Sequence, residues 1–178
     1  MQIDPSGFLK GVRFIASPNF DERPPEMPVT LLVIHAISLP PQQYDGDAVI
    51  DFFTNKLDPQ AHPFFASIRD LRVSAHFFIR RDGEVIQFVS CNLRAWHAGQ
   101  SQWQGRQRCN DFAIGIELEG SDYAPFENRQ YDRLAELTRA LQAAYPIADI
   151  VGHADIAPGR KTDPGPNFDW SRYRQMLA

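Results

Sequence analysis

The chain has 178 residues, 43% of them hydrophobic, which is enough for one core and short for two. A formal net charge of −4, with acids and bases interspersed, gives no electrostatic reason to expect nucleic acid or an anionic membrane as partner. No apolar run approaches a membrane span, and Met1–Lys10 has no basic region followed by an apolar core, so a cytoplasmic protein without a secretory signal is expected. In that compartment Cys91 and Cys109 are expected to be free, partly buried thiols.

Residues 1–28 hold Pro18, Pro24, Pro25 and Pro28, which exclude helix and central strand, so an irregular N-terminal wrap is expected ahead of one domain over 29–178. Val29–His35 is a short β-branched run, the pattern of a strand buried on both faces and ending on His35. In Asp47–Leu57 the apolar residues Val49, Ile50, Phe52, Phe53 and Leu57 recur at helical steps, and the stretch after it, through His62-Pro63, reads as irregular. Val73–Arg80 and Glu84–Val89 flank an Asp82-Gly83 turn and predict a hairpin. A polar loop from Gln100 to Asp111, carrying Trp103, is either a binding wall or a solvated loop anchored by its indole.

Phe112–Gly120 is a further strand, with Glu117 and Glu119 on one face and Ile116 and Leu118 on the other. Burying a carboxylate in such a strand is costly without a partner, so one of the two glutamates is expected to have a role and the other to be solvated. Asn128–Tyr145 carries one helical stripe, with Asn128 as N-cap and Pro146 as stop. Ile150–Gly152 is a brief strand, and Asp169–Leu177 closes the chain as a helix. Strands mixed with helices, including a hairpin, predict an α/β (α+β) fold with a mixed central sheet flanked by helices.

The Gly- and Pro-rich stretch Val151–Pro166 puts His153, Lys161 and Asp163 in a segment that reads as loop throughout. With His35 they form a candidate zinc site: two histidines and a carboxylate leave a coordination position open for water, as hydrolytic sites require. His35 also has a plainer reading, as a hydrogen-bonded core histidine. Neither an HExxH helix nor a CxxC pair is present, so spacing alone does not choose between them. If zinc binds, Glu117 is the candidate general base and Lys161 the candidate stabiliser of the oxyanion.

Ser74-Ala75-His76, Ile79–Gly83, Arg94-Ala95-Trp96-His97-Ala98-Gly99, Ile114–Gly120 and Gly152-His153 through Lys161-Thr162-Asp163-Pro164-Gly165 occur in this order. Together they resemble the zinc-dependent N-acetylmuramoyl-L-alanine amidases of the amidase-2 and peptidoglycan-recognition superfamily, most closely the members that recycle cell wall. The resemblance implies Zn2+ at His35, His153 and Asp163, with Glu117 and Lys161 as catalytic residues. It also implies a cytoplasmic enzyme, expected as a monomer, that hydrolyses the lactyl–L-alanine amide of 1,6-anhydro-N-acetylmuramyl peptides. Such a substrate carries carboxylates, making Arg72 and Arg108 candidate anchors and Trp96, His97 and Trp103 candidate binding surface. Members of the family often have asparagine after the first histidine; Ala36 here removes one polar contact. Two competing functions are a non-catalytic peptidoglycan-binding module and a phage-type amidase acting on intact wall.

Overall fold

In the computed structural model, which describes residues 1–178, the Leu31–Ile37 strand runs through the middle of the molecule with its first five residues buried. In chain order the elements are β1 (Arg13–Phe14), β2 (Phe20–Asp21), β3 (Leu31–Ile37), α1 (Ala48–Phe53), α2 (Pro63–Ile68), β4 (Phe77–Ile79), β5 (Val85–Gln87), β6 (Arg94–Ala95), β7 (Gln102–Trp103), β8 (Arg106–Gln107), β9 (Ala113–Glu119), α3 (Asn128–Ala144), β10 (Asp149–Gly152), α4 (His153–Ile156) and α5 (Trp170–Leu177). Six strands form one mixed sheet in the order β1-β5-β4-β9-β3-β10. Parallel pairing joins β4, β9, β3 and β10, and the β4–β5 hairpin supplies the antiparallel pair, as its Asp-Gly turn predicts.

Alternation along β3 and β9 sorts their side chains between the two faces. Leu32, Ile34, Ile114, Ile116 and Leu118 meet Leu134, Leu137 and Leu141 of α3 and Tyr173 of α5 in the largest core cluster. The opposite face is divided. Phe78, Ile86 and Phe88 pack there against α1 and Phe65 of α2, while Leu31, Val33 and Ala113 pack with Phe112, Val151 and Ile156. Between these two apolar clusters run Gly115, His35 and Glu117, with His35 directly opposite Glu117. Because β10 lies beside β3 with Gly152 opposite Ile34, the residue after β10, His153, arrives next to His35.

Several expectations need correction. The strand does not end on His35 but continues to Ile37, because β9 keeps pairing with it as far as Glu119. Helix α2 forms where irregular chain was expected: Pro63 suits a first helical turn, the Nδ1 of His62 accepts from Phe64 N–H at 3.1 Å, and Phe65 is buried. The polar loop contains the β7–β8 hairpin, and the His153 stretch begins with the single helical turn α4. Helix α3 is capped one residue earlier than expected, by Glu127, whose N–H donates to the side chain of Gln130. Residues 1–28 carry β1 on the sheet edge and β2, paired with β6. Cys91 and Cys109 are both free, and both are fully buried.

Candidate metal centre and active site

Sheet register brings three side chains to one point. His35 Nδ1 lies 2.9 Å from His153 Nδ1 and 3.3 Å from Asp163 Oδ2, and His153 Nδ1 is 3.1 Å from the same oxygen. His35 and His153 are buried and Asp163 nearly so. Asp163 is held by its own backbone, whose carbonyl accepts from Ala154 N–H, so the loop folds back onto α4. A tetrahedral zinc with ligand bonds of about 2.0–2.2 Å separates its donors by roughly 3.3 Å, so this spacing suits the ion. The protonation states suit it as well. Burial, only partly offset by the hydrogen bond to Asp163, lowers His35 to about 4 and keeps the imidazole neutral. Burial alone would raise Asp163, but hydrogen bonds with His153 and His35 bring it below the usual carboxylate range. Two imidazole nitrogens and a carboxylate oxygen converging this closely have the donor chemistry of a cation site.

Glu117 faces the same space from β9. Its Oε1 is 4.0 Å from His35 Nδ1, while its buried Oε2 has no hydrogen-bond partner. Burial first, and the nearby Asp163 second, hold its carboxyl well above the ordinary range, with Lys161 opposing them. An unpaired, proton-seeking carboxyl beside a cation site is what a general base requires. Glu119 behaves differently and is not solvated as expected: its buried carboxylate accepts from Asp45 N–H at 2.8 Å and Arg81 N–H at 3.0 Å. Its burial is thus explained by two loop contacts, and Glu117's is not.

These groups open onto a cleft of about 180 Å³. His97, Glu117, His153, Lys161 and Asp163 line its polar side, and Ala36, Ile37, Phe52, Phe53, Leu71 and Val73 its apolar side. Ala36 borders the cleft near the end of β3, although its side chain packs with the α3-facing core cluster.

The other sequence-nominated residues lie outside this cleft. Trp103 is half-buried in the core, donating from Nε1 to Asp149 Oδ2 at 3.1 Å, and so is no wall of the site. Trp96 is half-buried and does not line the cleft; its backbone is tied to Asn19 and Ser74. Arg72 is exposed, its guanidinium donating to the Arg69 and Leu71 carbonyls, in a neighbouring hollow behind Leu71. Arg108 is exposed on a separate groove with Gln100, Gln107 and Arg160, 3.4 Å from Asp111. Sequence reasoning passed over the apolar wall, Phe52, Phe53, Leu71 and Val73, whose periodicity signals only core, and also Asn110, which had no signal beyond lying in a polar loop.

Known proteins resemble this chain over nearly its whole length. The chain is 56% identical over 174 residues, covering 97% of it and 95% of the relative, to 1,6-anhydro-N-acetylmuramyl-L-alanine amidase AmpD of Escherichia coli (strain K12). A crystal structure of a selenomethionine AmpD derivative superposes with a TM-score of 0.97 at 53% identity, with all of both chains covered. A second solved structure, the E. coli N-acetylmuramyl-L-alanine amidase AmiD in complex with anhydro-N-acetylmuramic acid-L-Ala-D-gamma-Glu-L-Lys, matches with a TM-score of 0.61 at 31% identity, over 98% of this chain and 65% of that one. The Amidase_2 family model, described as N-acetylmuramoyl-L-alanine amidase, matches residues 25–166, and the chain belongs to that family.

Proposed function

We propose that this enzyme hydrolyses the amide between the lactyl group of 1,6-anhydro-N-acetylmuramic acid and L-alanine, in peptidoglycan recycling. The observation that carries the reading is the convergence of His35, His153 and Asp163 beside the unpaired Glu117 carboxyl, in a chain that is an AmpD relative over nearly its whole length. Residues 29–178 are read as the amidase domain, and 1–28 as a wrap along its edge.

His35 Nδ1, His153 Nδ1 and Asp163 Oδ2 would hold zinc. When bound, the ion supplies Lewis acidity toward the amide carbonyl and toward water. The chain's own groups do the rest. Glu117 takes a proton from the attacking water as its oxygen bonds to the lactyl carbonyl carbon. As the carbon–nitrogen bond breaks, the same carboxyl returns that proton to the leaving nitrogen of L-alanine, giving a free peptide and a lactyl carboxylic acid whose remaining proton passes to solvent or to the new amine. Lys161, on the same cleft, offsets the negative charge that grows on the carbonyl oxygen. The apolar wall excludes water from the opposite side and strengthens these charge interactions. His97 lines the same cleft and is the ring proposed to meet the substrate, whereas Trp96 and Trp103 lie outside the cleft. Arg72 and Arg108, in two separate hollows outside the cleft, are the proposed partners of stem-peptide carboxylates, because a guanidinium pairs with a carboxylate in bidentate fashion.

No helix is long and apolar enough to cross a membrane. A cytoplasmic location and a monomeric state are part of the proposal, and the two free, buried cysteines suit a reducing compartment. The test is turnover of purified 1,6-anhydromuramyl tripeptide against intact sacculi, with and without zinc, followed by mass spectrometry of the released peptide. Zinc-dependent release from the soluble muropeptide is expected. Preference for sacculi would favour the phage-type reading, and no hydrolysis in zinc-loaded protein would favour a binding module.

A further inference from the structure

His97 stands outside the proposed ligand set, yet it is buried with its Nδ1 only 2.9 Å from Nε2 of His35. Nδ1 of His35 faces His153 and Asp163, so a cation there needs that nitrogen without a proton, which leaves the proton of the neutral ring on Nε2. Nε2–H of His35 then donates to Nδ1 of His97. The next residue stands in the same relation to the second histidine: the Ala98 carbonyl oxygen is 3.2 Å from His153 Nε2, placed to accept its proton. One dipeptide thus meets the far nitrogen of both ligand histidines. Its backbone is held in turn by Asn110, whose Oδ1 accepts from His97 N–H at 3.1 Å and from Ala98 N–H at 2.8 Å. Gly115 on β9 makes room for the ring, since a Cβ there would come within 2.5 Å of His97 Cγ and Nδ1.

We propose that His97 is a positioning residue for the metal centre, accepting the Nε2 proton of His35 so that Nδ1 of that ligand stays unprotonated and aimed at the cation. The Ala98 carbonyl orients His153 in the same way. The inference rests on the zinc reading above and deepens it: His97 acts through His35 whether or not its ring also meets substrate. Partners that orient a metal-bound histidine in this manner typically change metal affinity by about 10–100-fold when removed.

The test is equilibrium zinc affinity of the apoprotein, by competition with a chromophoric chelator, for the parent, His97→Leu and His97→Asn, with circular dichroism reporting the fold. His97→Leu is expected to bind zinc about 10–100-fold more weakly. His97→Asn, whose side-chain oxygen takes the place of Nδ1 as acceptor, is expected to recover most of the loss. Parent-like affinity in His97→Leu, or no recovery in a folded His97→Asn, overturns the proposal. Should the leucine variant not fold, 15N NMR of the zinc-loaded parent decides: protons on Nε2 of both His35 and His97 are expected, and a proton on Nδ1 of His97 refutes it. Failure of the parent itself to bind zinc is a different outcome, which removes the metal reading and this inference with it.

Discussion

His35 and Glu117 are direct partners in the β3–β9 ladder, and their side chains emerge on the same face with Nδ1 and Oε1 4.0 Å apart. The sheet's own hydrogen bonds therefore set the distance between a proposed metal ligand and the proposed base. Neither position depends on loop conformation, which keeps the pair in fixed geometry.

Glu117→Gln is expected to keep zinc bound while lowering turnover by about 10²–10⁴-fold, the usual scale for loss of a general base. Because Glu117 is a buried carboxyl with one oxygen unpaired, the amide should leave the melting temperature at or above that of the parent. Steady-state kinetics with a thermal melt check both halves, and near-parental turnover would remove Glu117 from the mechanism.

Asp163→Ala removes the only anionic donor among the three converging groups, and zinc content after dialysis is expected to fall well below one equivalent. Metal analysis of the folded variant measures this directly. Stoichiometric zinc in that protein would mean that the ion sits elsewhere.

Glu119 acts on stability instead. Its carboxylate accepts from the backbone of Asp45 and of Arg81, tying the loop before α1 to the β4–β5 turn. Glu119→Ala strands both donors, at a cost of about 1–3 kcal/mol for each one left without water. Urea denaturation should show a lower midpoint, and an unchanged midpoint would mean that solvent replaces the carboxylate freely.

Arg94 donates to Asp21 and Asp111, clamping β2 to β6. The hydrogen bond from Arg94 holds the Asp21 carboxyl below its ordinary value of 3.8. A depressed folded-state value means stability that is present above the unfolded value and lost as pH falls through the folded one. Asp21→Asn is therefore expected to be less stable than the parent at neutral pH, with the gap closing below about pH 4. Thermal melts across pH 2–7 test this, and a gap independent of pH would show that the charge is not involved.

The large elements were legible because their periodicity is a direct record of what they bury: the β3 run, the Asp-Gly hairpin and the α3 stripe all form within the stretches that the pattern marks, with shifted ends. The short elements were not. The β7–β8 turn runs through Gln104 and Gly105, both with positive φ, and glutamine lacks the local signal that Asn or Asp carries at such a turn. Helix α2 rests on a His62 cap and one buried phenylalanine, a contact made with residues distant in sequence. Trp103 read equally well as wall or anchor, and the choice was made by Asp149, some forty-six residues further on.

By itself, the sequence determined which residue types were available for chemistry and that His35, Glu117 and His153 would sit on or just beyond strands, because burial alternates with a period of two. Only the tertiary structure decided that β9 and β10 flank β3 in a register that brings Glu117 to 4.0 Å and His153 to 2.9 Å from His35. It also decided that Glu119 finds donors where Glu117 finds none, and that His97 turns its ring toward His35. Those outcomes depend on pairing between strands far apart in the chain, which residue spacing cannot encode. They separate a buried carboxylate that only stabilises from one free to move a proton.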